Sequence, residues 1–317
     1  MAREMRFGIQ TGPQHVTWPE LLDVWQLADG LKFDTAWTFD HFFPIMSDPK
    51  GPQFEGWTAL TALAMKTRHV RVGTLVTGIT YRYPAVLAKI GASLDVITGG
   101  RLEMGVGAAW FQQEHEALGI PFPPVAERIK RLGEVCEIMI RMWTEDTASF
   151  EGQYYRIKEA YCNPKPVQKP RPPILIGGGG EQLTLKMVAR YADTWNAFGP
   201  PEVMKHKLEV LRGHCRTVGR DFDAIEKCVS LPPVLSTDPS KVDGMLADMA
   251  ARRAMTIEDA RASMLWGTPE QAIRRLREYR EMGVTHIILS LRAPYDPRQL
   301  ELFAREVIPA LRQTVAA

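Results

Sequence analysis

A candidate for proton transfer stands at the end of a predicted strand. Asp40 and His41 follow a short apolar segment. Histidine suits acid/base work because its ordinary pKa lies nearest neutrality. A purely structural role, with Asp40 capping a loop and His41 as its partner, stays open on these two residues alone.

Four consecutive glycines form the strongest local signal. Gly177–Gly180 follow an apolar segment and precede a predicted helix at Gln182–Arg190. Unobstructed amides at the positive end of a helix form an anion site. A plain turn is disfavoured, because four glycines are entropically costly to order. The pattern therefore predicts a phosphate site.

Two more strand ends could face a flat ligand. Gly78 follows one strand, and small residues from Gly105 onward lead into Trp110 after another. Glycine permits a bulge beside a ring, and small residues before an aromatic one could make room for a ring and then wall it. A simple turn at Gly78 and a core position for Trp110 are the open alternatives. Glu114-His115-Glu116 lacks the HExxH zinc spacing, so no metal site is predicted.

These residues can meet only if the fold brings strand ends together. Apolar runs on consecutive positions, typical of parallel strands buried on both faces, alternate with amphipathic helical patterns. The predicted strands are Met5–Gln10, Thr35–Phe39, Val70–Thr77, Leu102–Val106, Ile174–Ile176, Asp193–Ala197, Cys228–Leu235 and His286–Leu291. Eight strands alternating with about eight helices predict an α/β fold, the (β/α)₈ TIM barrel. A doubly wound open sheet is the alternative.

Local signals place the helix starts and the insertions. Capping-box sequences begin at Thr17 and Thr268. The longer insertions follow strands 2, 4 and 7, which is the catalytic rim of a barrel; they are His41–Gly56, Ala108–Val125 and Thr237–Met264. We expect one domain over residues 1–317.

The overall composition excludes several classes of protein. With 39 Lys plus Arg against 37 Asp plus Glu, the net charge is +2, which gives no electrostatic support for nucleic-acid or membrane-surface binding. No apolar run approaches the roughly 20 residues of a membrane span. The four cysteines form no CxxC pair, which favours reduced thiols and a cytoplasmic location.

A co-linear set of short motifs resembles the bacterial luciferase-like family of flavin and deazaflavin oxidoreductases. More narrowly, it is similar to the actinobacterial, coenzyme F420-dependent branch. The motifs are Phe39–Phe42, Glu55–Trp57, Leu75–Gly78, Tyr81–Pro84 with Leu87–Lys89, Gly99–Arg101, Gly107–Trp110 with Glu114, and Ile176–Gly180. Together they extend over nearly the whole chain.

The resemblance implies a barrel that binds a tricyclic redox ring at the strand C-termini. His41 would be the acid/base or substrate-polarising residue, with Asp40 alongside on the coenzyme. The other coenzyme positions would be a bulge, often with a non-proline cis peptide, at Val76, Thr77 and Gly78; a ring-edge loop at Ala108, Ala109 and Trp110; and a phosphate cradle at Gly177, Gly178, Gly179 and Gly180.

The chain departs from the family pattern at two places. The usual Gly-Ala-Gly-Trp is Gly107-Ala-Ala-Trp110 here, and the branch similar to sugar-phosphate dehydrogenases has Glu at the position of Trp110. The loop Asn196–Pro201 lacks a Lys or Arg that could hold a substrate phosphate. A sugar phosphate is therefore disfavoured.

The expected reaction is hydride transfer between F420 and a small, hydrophobic organic substrate, such as an alcohol or carbonyl, an imine or an activated alkene. The wall of the substrate site would include Phe43, Trp57, Trp110 and Phe198. A homodimer is expected by resemblance. The alternatives are an FMN-dependent two-component monooxygenase and, less favoured, a flavin-binding barrel without catalysis.

Overall fold

Eight parallel strands close into a barrel in the computed structural model, which describes residues 3–312. Four further strands form two small sheets outside the barrel, β5 with β6 and β10 with β11. In chain order all the described strands are β1 (Arg6–Thr11), β2 (Thr35–Asp40), β3 (Arg71–Gly78), β4 (Leu102–Gly107), β5 (Ala148–Glu151), β6 (Arg156–Ala160), β7 (Ile174–Gly177), β8 (Thr194–Ala197), β9 (Glu226–Leu231), β10 (Pro233–Leu235), β11 (Leu265–Gly267) and β12 (Val284–Leu291). Around the barrel the order is β1-β12-β9-β8-β7-β4-β3-β2. The predicted barrel is confirmed, because an open sheet would have left two unpaired edges.

Helices follow most of the barrel strands and surround them. In chain order they are α1 (Trp18–Gly30), α2 (Gly56–Met65), α3 (Pro84–Ile97), α4 (Gln112–Leu118), α5 (Val125–Thr144), α6 (Thr184–Tyr191), α7 (Pro201–Val218), α8 (Pro239–Arg252), α9 (Ile257–Ser263), α10 (Pro269–Glu281), α11 (Pro297–Leu302) and α12 (Ile308–Arg312), with a π-helical segment at Phe303–Val307. The insertions after the second, fourth and seventh barrel strands are present, and the last of them carries α8 and α9.

Several predicted strand ends differ from the observed ones by one or two residues, and two predicted elements differ for clear physical reasons. The predicted strand Cys228–Leu235 is interrupted at Pro232, whose nitrogen has no hydrogen to donate to a ladder. The chain leaves the barrel there, and β10 pairs with β11 instead. The helix predicted at Gln182–Arg190 begins later, at Thr184, because a turn follows the glycines.

The predicted capping boxes fix where two helices begin. The Thr17 side chain accepts from the Glu20 amide, and the Glu20 carboxylate accepts from the Thr17 amide, so α1 starts at Trp18. The same reciprocal pair at Thr268 starts α10. Trp25 of α1 is fully buried and donates its indole hydrogen to Thr11 at 2.8 Å, which packs α1 onto β1.

The two ends of the barrel differ in chemistry. At the N-terminal end, Arg6 binds both Glu103 and Glu226, and Arg71 donates to Glu103 at 2.7 Å. Above this layer the barrel interior is filled by an apolar cluster of Trp37, Leu75, Leu175, Cys228 and Ile288. The filled lower end and interior leave the C-terminal mouth as the place for a ligand.

No helix within residues 3–312 is both long and apolar enough to cross a bilayer. The four cysteines are all buried and free. The predicted single domain over 1–317 extends at both ends beyond the described residues and stays a prediction.

Candidate active site

The candidate coenzyme residues lie at or directly after the C-terminal ends of four adjacent strands. β2, β3, β4 and β7 are consecutive around the barrel and parallel, so their C-terminal ends meet at one mouth. At about 4.8 Å per strand, β2 and β7 are roughly 14 Å apart along the barrel wall. His41 and the glycine segment therefore lie at the same end of the barrel, on opposite sides of this four-strand arc.

His41 is held through one of its ring nitrogens. Nδ1 lies 3.0 Å from Oε2 of Glu114, a residue of α4 that is completely buried. The other carboxylate oxygen accepts from the amides of Phe42 and Phe43, the latter at 2.8 Å. A carboxylate on Nδ1 sets the tautomer, and it leaves Nε2 available to a ligand. His41 itself is 6% exposed.

Glu114 is kept ionised by its hydrogen bonds. Burial raises its pKa, but bonds from His41, Tyr81 and the Phe43 amide outweigh burial, and the pKa lies below its usual range. The Tyr81 hydroxyl donates to the same carboxylate oxygen as His41. Burial and Glu114 together raise the pKa of Tyr81, so the phenol keeps its hydrogen. His115 stacks on Tyr81 at 4.8 Å between ring centroids and fixes its orientation.

Asp40 belongs to a separate ion-pair chain beneath His41. Its carboxylate is fully buried and binds Arg82, which contacts Oδ2 at 2.5 Å. Burial raises the pKa of Asp40, while Arg82 acts in the opposite direction. Arg82 also binds Glu55, which caps α2 by accepting from the Trp57 and Thr58 amides. Coenzyme binding by Asp40 stays a prediction.

The end of β3 has the irregular backbone that the resemblance implies. The Leu75–Val76 peptide is cis, and the pairing of β3 with β4 shifts register between Gly73 and Thr77. Gly78 is needed here, because a Cβ at that position would lie 2.7 Å from the Tyr81 ring. The bulge therefore stands beside the Tyr81–Glu114–His41 cluster.

The loop after β4 carries a strained residue. Ala109 has φ +62°, a left-handed conformation that favours glycine. This is the position at which the family pattern has glycine, so the chain keeps the conformation without the residue that best suits it. The loop is braced by Arg128, whose Nε donates to the Ala108 carbonyl at 3.1 Å.

The glycine segment forms an open corner between β7 and α6. Gly178 has a φ of +126°, a backbone conformation that residues other than glycine rarely adopt. Within residues 3–312, the amides of Gly179 and Gly180 have no hydrogen-bond acceptor. Lys207 of α7 reaches the corner, donating to the Gly179 carbonyl at 2.7 Å. Bare amides beside a cation suit an anionic group.

The four predicted wall residues occupy different depths. Trp110 is 55% exposed and lies 5.7 Å from His41 between ring centroids, so the structure brings these two together. Phe198 is 60% exposed after β8, and Phe43 is half-buried next to Glu114. Trp57 is buried and donates to Thr77 at 3.0 Å, behind the β3 bulge.

Three site residues were not among the predicted site residues. Tyr81 and Arg82 stood only in motifs of the family resemblance, and Glu114 stood there and in a segment considered for zinc binding. Glu114 and Tyr81 reach His41 from 73 and 40 positions away in the chain. The sequence does place the Glu114 carboxylate and the Tyr81 phenol after strand ends on the same predicted rim as His41, and this placement could have indicated them.

Comparisons with known proteins agree with this geometry. The model of the luciferase-like monooxygenase family matches residues 5–286. An F420-dependent glucose-6-phosphate dehydrogenase of Microbacterium testaceum is 29% identical over 342 residues, with 100% of each chain covered. The chain belongs to the luciferase-like monooxygenase family.

Solved structures share the fold over nearly their full lengths. An F420-dependent secondary alcohol dehydrogenase in complex with an F420-acetone adduct superposes with a TM-score of 0.83 at 21% identity, covering 98% of this chain and 100% of that one. The monooxygenase RslO1 of Streptomyces bottropensis gives 0.80 at 26% identity, covering 96% and 99%.

Proposed function

We propose that this chain is a coenzyme F420-dependent oxidoreductase that transfers a hydride to or from a small organic substrate. The observation that carries the proposal is the bond between Nδ1 of His41 and Glu114 at 3.0 Å, which leaves Nε2 for a substrate at the barrel mouth. The names of relatives such as the Microbacterium testaceum dehydrogenase support F420. When bound, F420 supplies a ring carbon that accepts or donates a hydride.

The residues present fit such a coenzyme. The open amides of Gly179 and Gly180, with Lys207 beside them, would hold its phosphate. The backbone at Val76, Thr77 and Gly78 would support the ring, and Ala108, Ala109 and Trp110 would follow its edge. These positions lie on β3 and directly after β4 and β7, on the part of the arc next to β2.

His41 manages the proton of the reaction. During oxidation of an alcohol, its Nε2 takes the hydroxyl proton, and the ionised Glu114 stabilises the imidazolium that results. During reduction, the imidazolium returns the proton to a carbonyl, an imine or an activated alkene. Tyr81 remains protonated and keeps Glu114 oriented towards the ring.

The substrate is an organic molecule with an apolar portion. Exposed Trp110 and Phe198, with Phe43 nearby, supply an aromatic wall, and Trp57 supports it from behind Thr77. A sugar phosphate is the second candidate, because the relative from Microbacterium testaceum is named a glucose-6-phosphate dehydrogenase. Trp110 and the loop Asn196–Pro201, without Lys or Arg, argue against it.

Titration with two coenzymes tests the proposal. Purified protein is titrated separately with F420 and with FMN, and the fluorescence quenching of each is followed. Tight binding of F420 with weak binding of FMN is expected. The reverse result, with turnover that requires oxygen and a reductase, would replace this proposal with the FMN monooxygenase; the 26% identical RslO1 is named a monooxygenase. Binding without turnover of any substrate would leave a non-catalytic barrel.

We expect a homodimer in the cytoplasm. Exposed apolar side chains on and next to α3, namely Tyr83, Val86 and Ile97, offer a surface for a second copy. Light scattering of the protein as it elutes from a size-exclusion column should give a molar mass twice the 35.7 kDa of one chain.

A further inference from the structure

A cavity opens on the half of the barrel mouth that the coenzyme residues do not use. Its volume is about 680 Å³, within the usual range for small-molecule sites. It lies between α8, the end of β12 and α11, and β10 forms part of its wall. Around the barrel, β12 and β9 stand opposite the arc of β2, β3, β4 and β7. A substrate could therefore approach from this side.

The cavity is lined by three arginines that have no carboxylate partner among the described residues, namely Arg252, which is exposed, Arg253 and Arg292. Arg253 follows α8 directly, and Arg292 follows β12. Among the described residues, neither forms an ion pair, although Asp248 and Glu301 also line the cavity. By contrast, Arg298 in the same cavity is paired with Asp296.

Arg253 lacks a hydrogen-bond acceptor where it is buried. Its Nε is enclosed and has no partner within residues 3–312. Burial, with repulsion from Arg292, lowers the pKa of Arg253 to about 10. Arg292 is more exposed than Arg253, and its partial burial also lowers its pKa. Two cations that disfavour each other are stabilised together by an oxyanion, which accepts charge-assisted hydrogen bonds from both.

Two sets of contacts join the wall of the cavity to residues next to the candidate active site. Nη2 of Arg292 lies 3.8 Å from the sulfur of Met46, in the loop that begins at His41. Ser290, which lines the cavity, donates to Gln10 at 3.2 Å. Gln10 in turn donates to the Leu75 carbonyl at 3.0 Å, next to the β3 bulge. These contacts place the cavity beside the loop that begins at His41 and beside the β3 bulge.

We propose that Arg253 and Arg292 bind the anionic end of the substrate, a carboxylate or a phosphate monoester, while its apolar end extends towards His41. The assignment rests on the oxidoreductase function proposed above and adds the substrate class: an organic anion with an apolar body. The guanidinium groups provide planar pairs of donors that match either oxyanion.

Binding of two simple anions to the protein without coenzyme tests this assignment. Phenyl phosphate and benzoate are titrated calorimetrically at constant ionic strength, with phenol as the neutral comparison. Binding of at least one anion, and much weaker binding of phenol, is expected. Arg253→Met and Arg292→Met should each weaken anion binding by about tenfold or more, because each removes charge-assisted bonds. The stronger anion identifies phosphate ester or carboxylate as the natural group.

Matched variants separate a site from a general charge effect. Arg277→Met removes the same charge from an exposed position of α10 outside the cavity and should bind both anions as the wild type does. Arg253→Lys keeps a cation if Arg253→Met fails to fold, and it should retain more affinity than Arg253→Met. Unchanged affinity in both cavity variants, an equal loss in Arg277→Met, or no anion binding by the wild type would overturn the assignment.

The same proteins are titrated with F420 to keep the two proposals distinct. Wild type and all variants should bind F420 equally, because the cavity lies outside the coenzyme arc. If the wild type does not bind F420, the proposed function is wrong. The anion titrations would still show whether the cavity binds anions. Loss of F420 binding in the cavity variants alone would overturn the assignment by giving these arginines to the coenzyme.

Discussion

Glu114 holds His41 at 3.0 Å between Oε2 and Nδ1, although 73 positions separate the two residues in the chain. The carboxylate is fully buried and also accepts hydrogen bonds from Tyr81 and from the amides of Phe42 and Phe43. An imidazole fixed in this way presents its second nitrogen in one orientation. The acid/base candidate of the sequence thus becomes a preorganised group.

Replacing His41 by Ala should lower kcat by about 10² to 10⁴ while the F420 Kd changes less than about twofold. The reason is that the imidazole moves a proton and is held by Glu114. Steady-state turnover and fluorescence titration measure the two quantities. His69→Ala, at an exposed position, serves as the control. An unchanged kcat in His41→Ala would remove this residue from the reaction.

Replacing Glu114 by Gln should destabilise the protein by about 1–3 kcal/mol near neutral pH, because its one carbonyl oxygen can accept either from the Phe42 and Phe43 amides or from His41 and Tyr81, but not from both pairs. The folded pKa of Glu114 lies below the ordinary 4.5 of the unfolded chain. Its stabilisation is therefore complete above 4.5 and is lost as pH falls through the folded value, since the unfolded state binds the proton first.

Urea unfolding of wild type and Glu114→Gln across this acid range measures the effect. The difference in the free energy of unfolding between the two proteins should shrink as the solution becomes more acidic than pH 4.5, the unfolded value. A difference that stays constant down to the acid end would show that ionisation of Glu114 does not contribute.

Replacing Arg82 by Met should cost about 3–5 kcal/mol, because it leaves the buried carboxylate of Asp40 without its cation. Arg298→Met, which breaks an exposed pair with Asp296, should change stability little. Denaturant unfolding compares the two. Equal changes in the free energy of unfolding would mean that the buried Asp40–Arg82 pair stabilises the protein no more than the exposed pair does.

Replacing Ala109 by Gly should raise the free energy of unfolding by about 1 kcal/mol, since its φ of +62° favours glycine. Ala108→Gly, in the same loop, is the matched control and should lower stability by roughly 0.4–1 kcal/mol through unfolded-state entropy. Thermal melting of the wild type and the two variants measures these changes. Destabilisation by both glycines would contradict the proposed strain at Ala109.

Replacing Gly178 by Ala should raise the F420 Kd by about tenfold or more, because φ of +126° excludes a side chain and the corner must rearrange. Gly213→Ala, inside α7 where a Cβ meets open space, should bind F420 normally and gain some stability. Fluorescence titration distinguishes them. Normal F420 binding by Gly178→Ala would separate the glycine corner from the coenzyme.

Local patterns predicted most of the elements and the rim of the barrel. Consecutive apolar residues indicated all eight barrel strands, because a parallel strand covered on both faces has that composition. The capping boxes at Thr17 and Thr268 acted within four residues and were confirmed. The break at Pro232 was missed, since β10 exists only through its pairing with distant β11.

The sequence by itself determined that His41, the β3 end, the Ala108–Trp110 loop and the four glycines follow parallel strands, because strand and turn preferences act over a few residues. Tertiary structure decided which side chains meet there. Barrel closure sets the order β7-β4-β3-β2, and packing brings Glu114 to His41 and Arg82 to Asp40. Such contacts depend on the register of the whole barrel, which no local pattern contains.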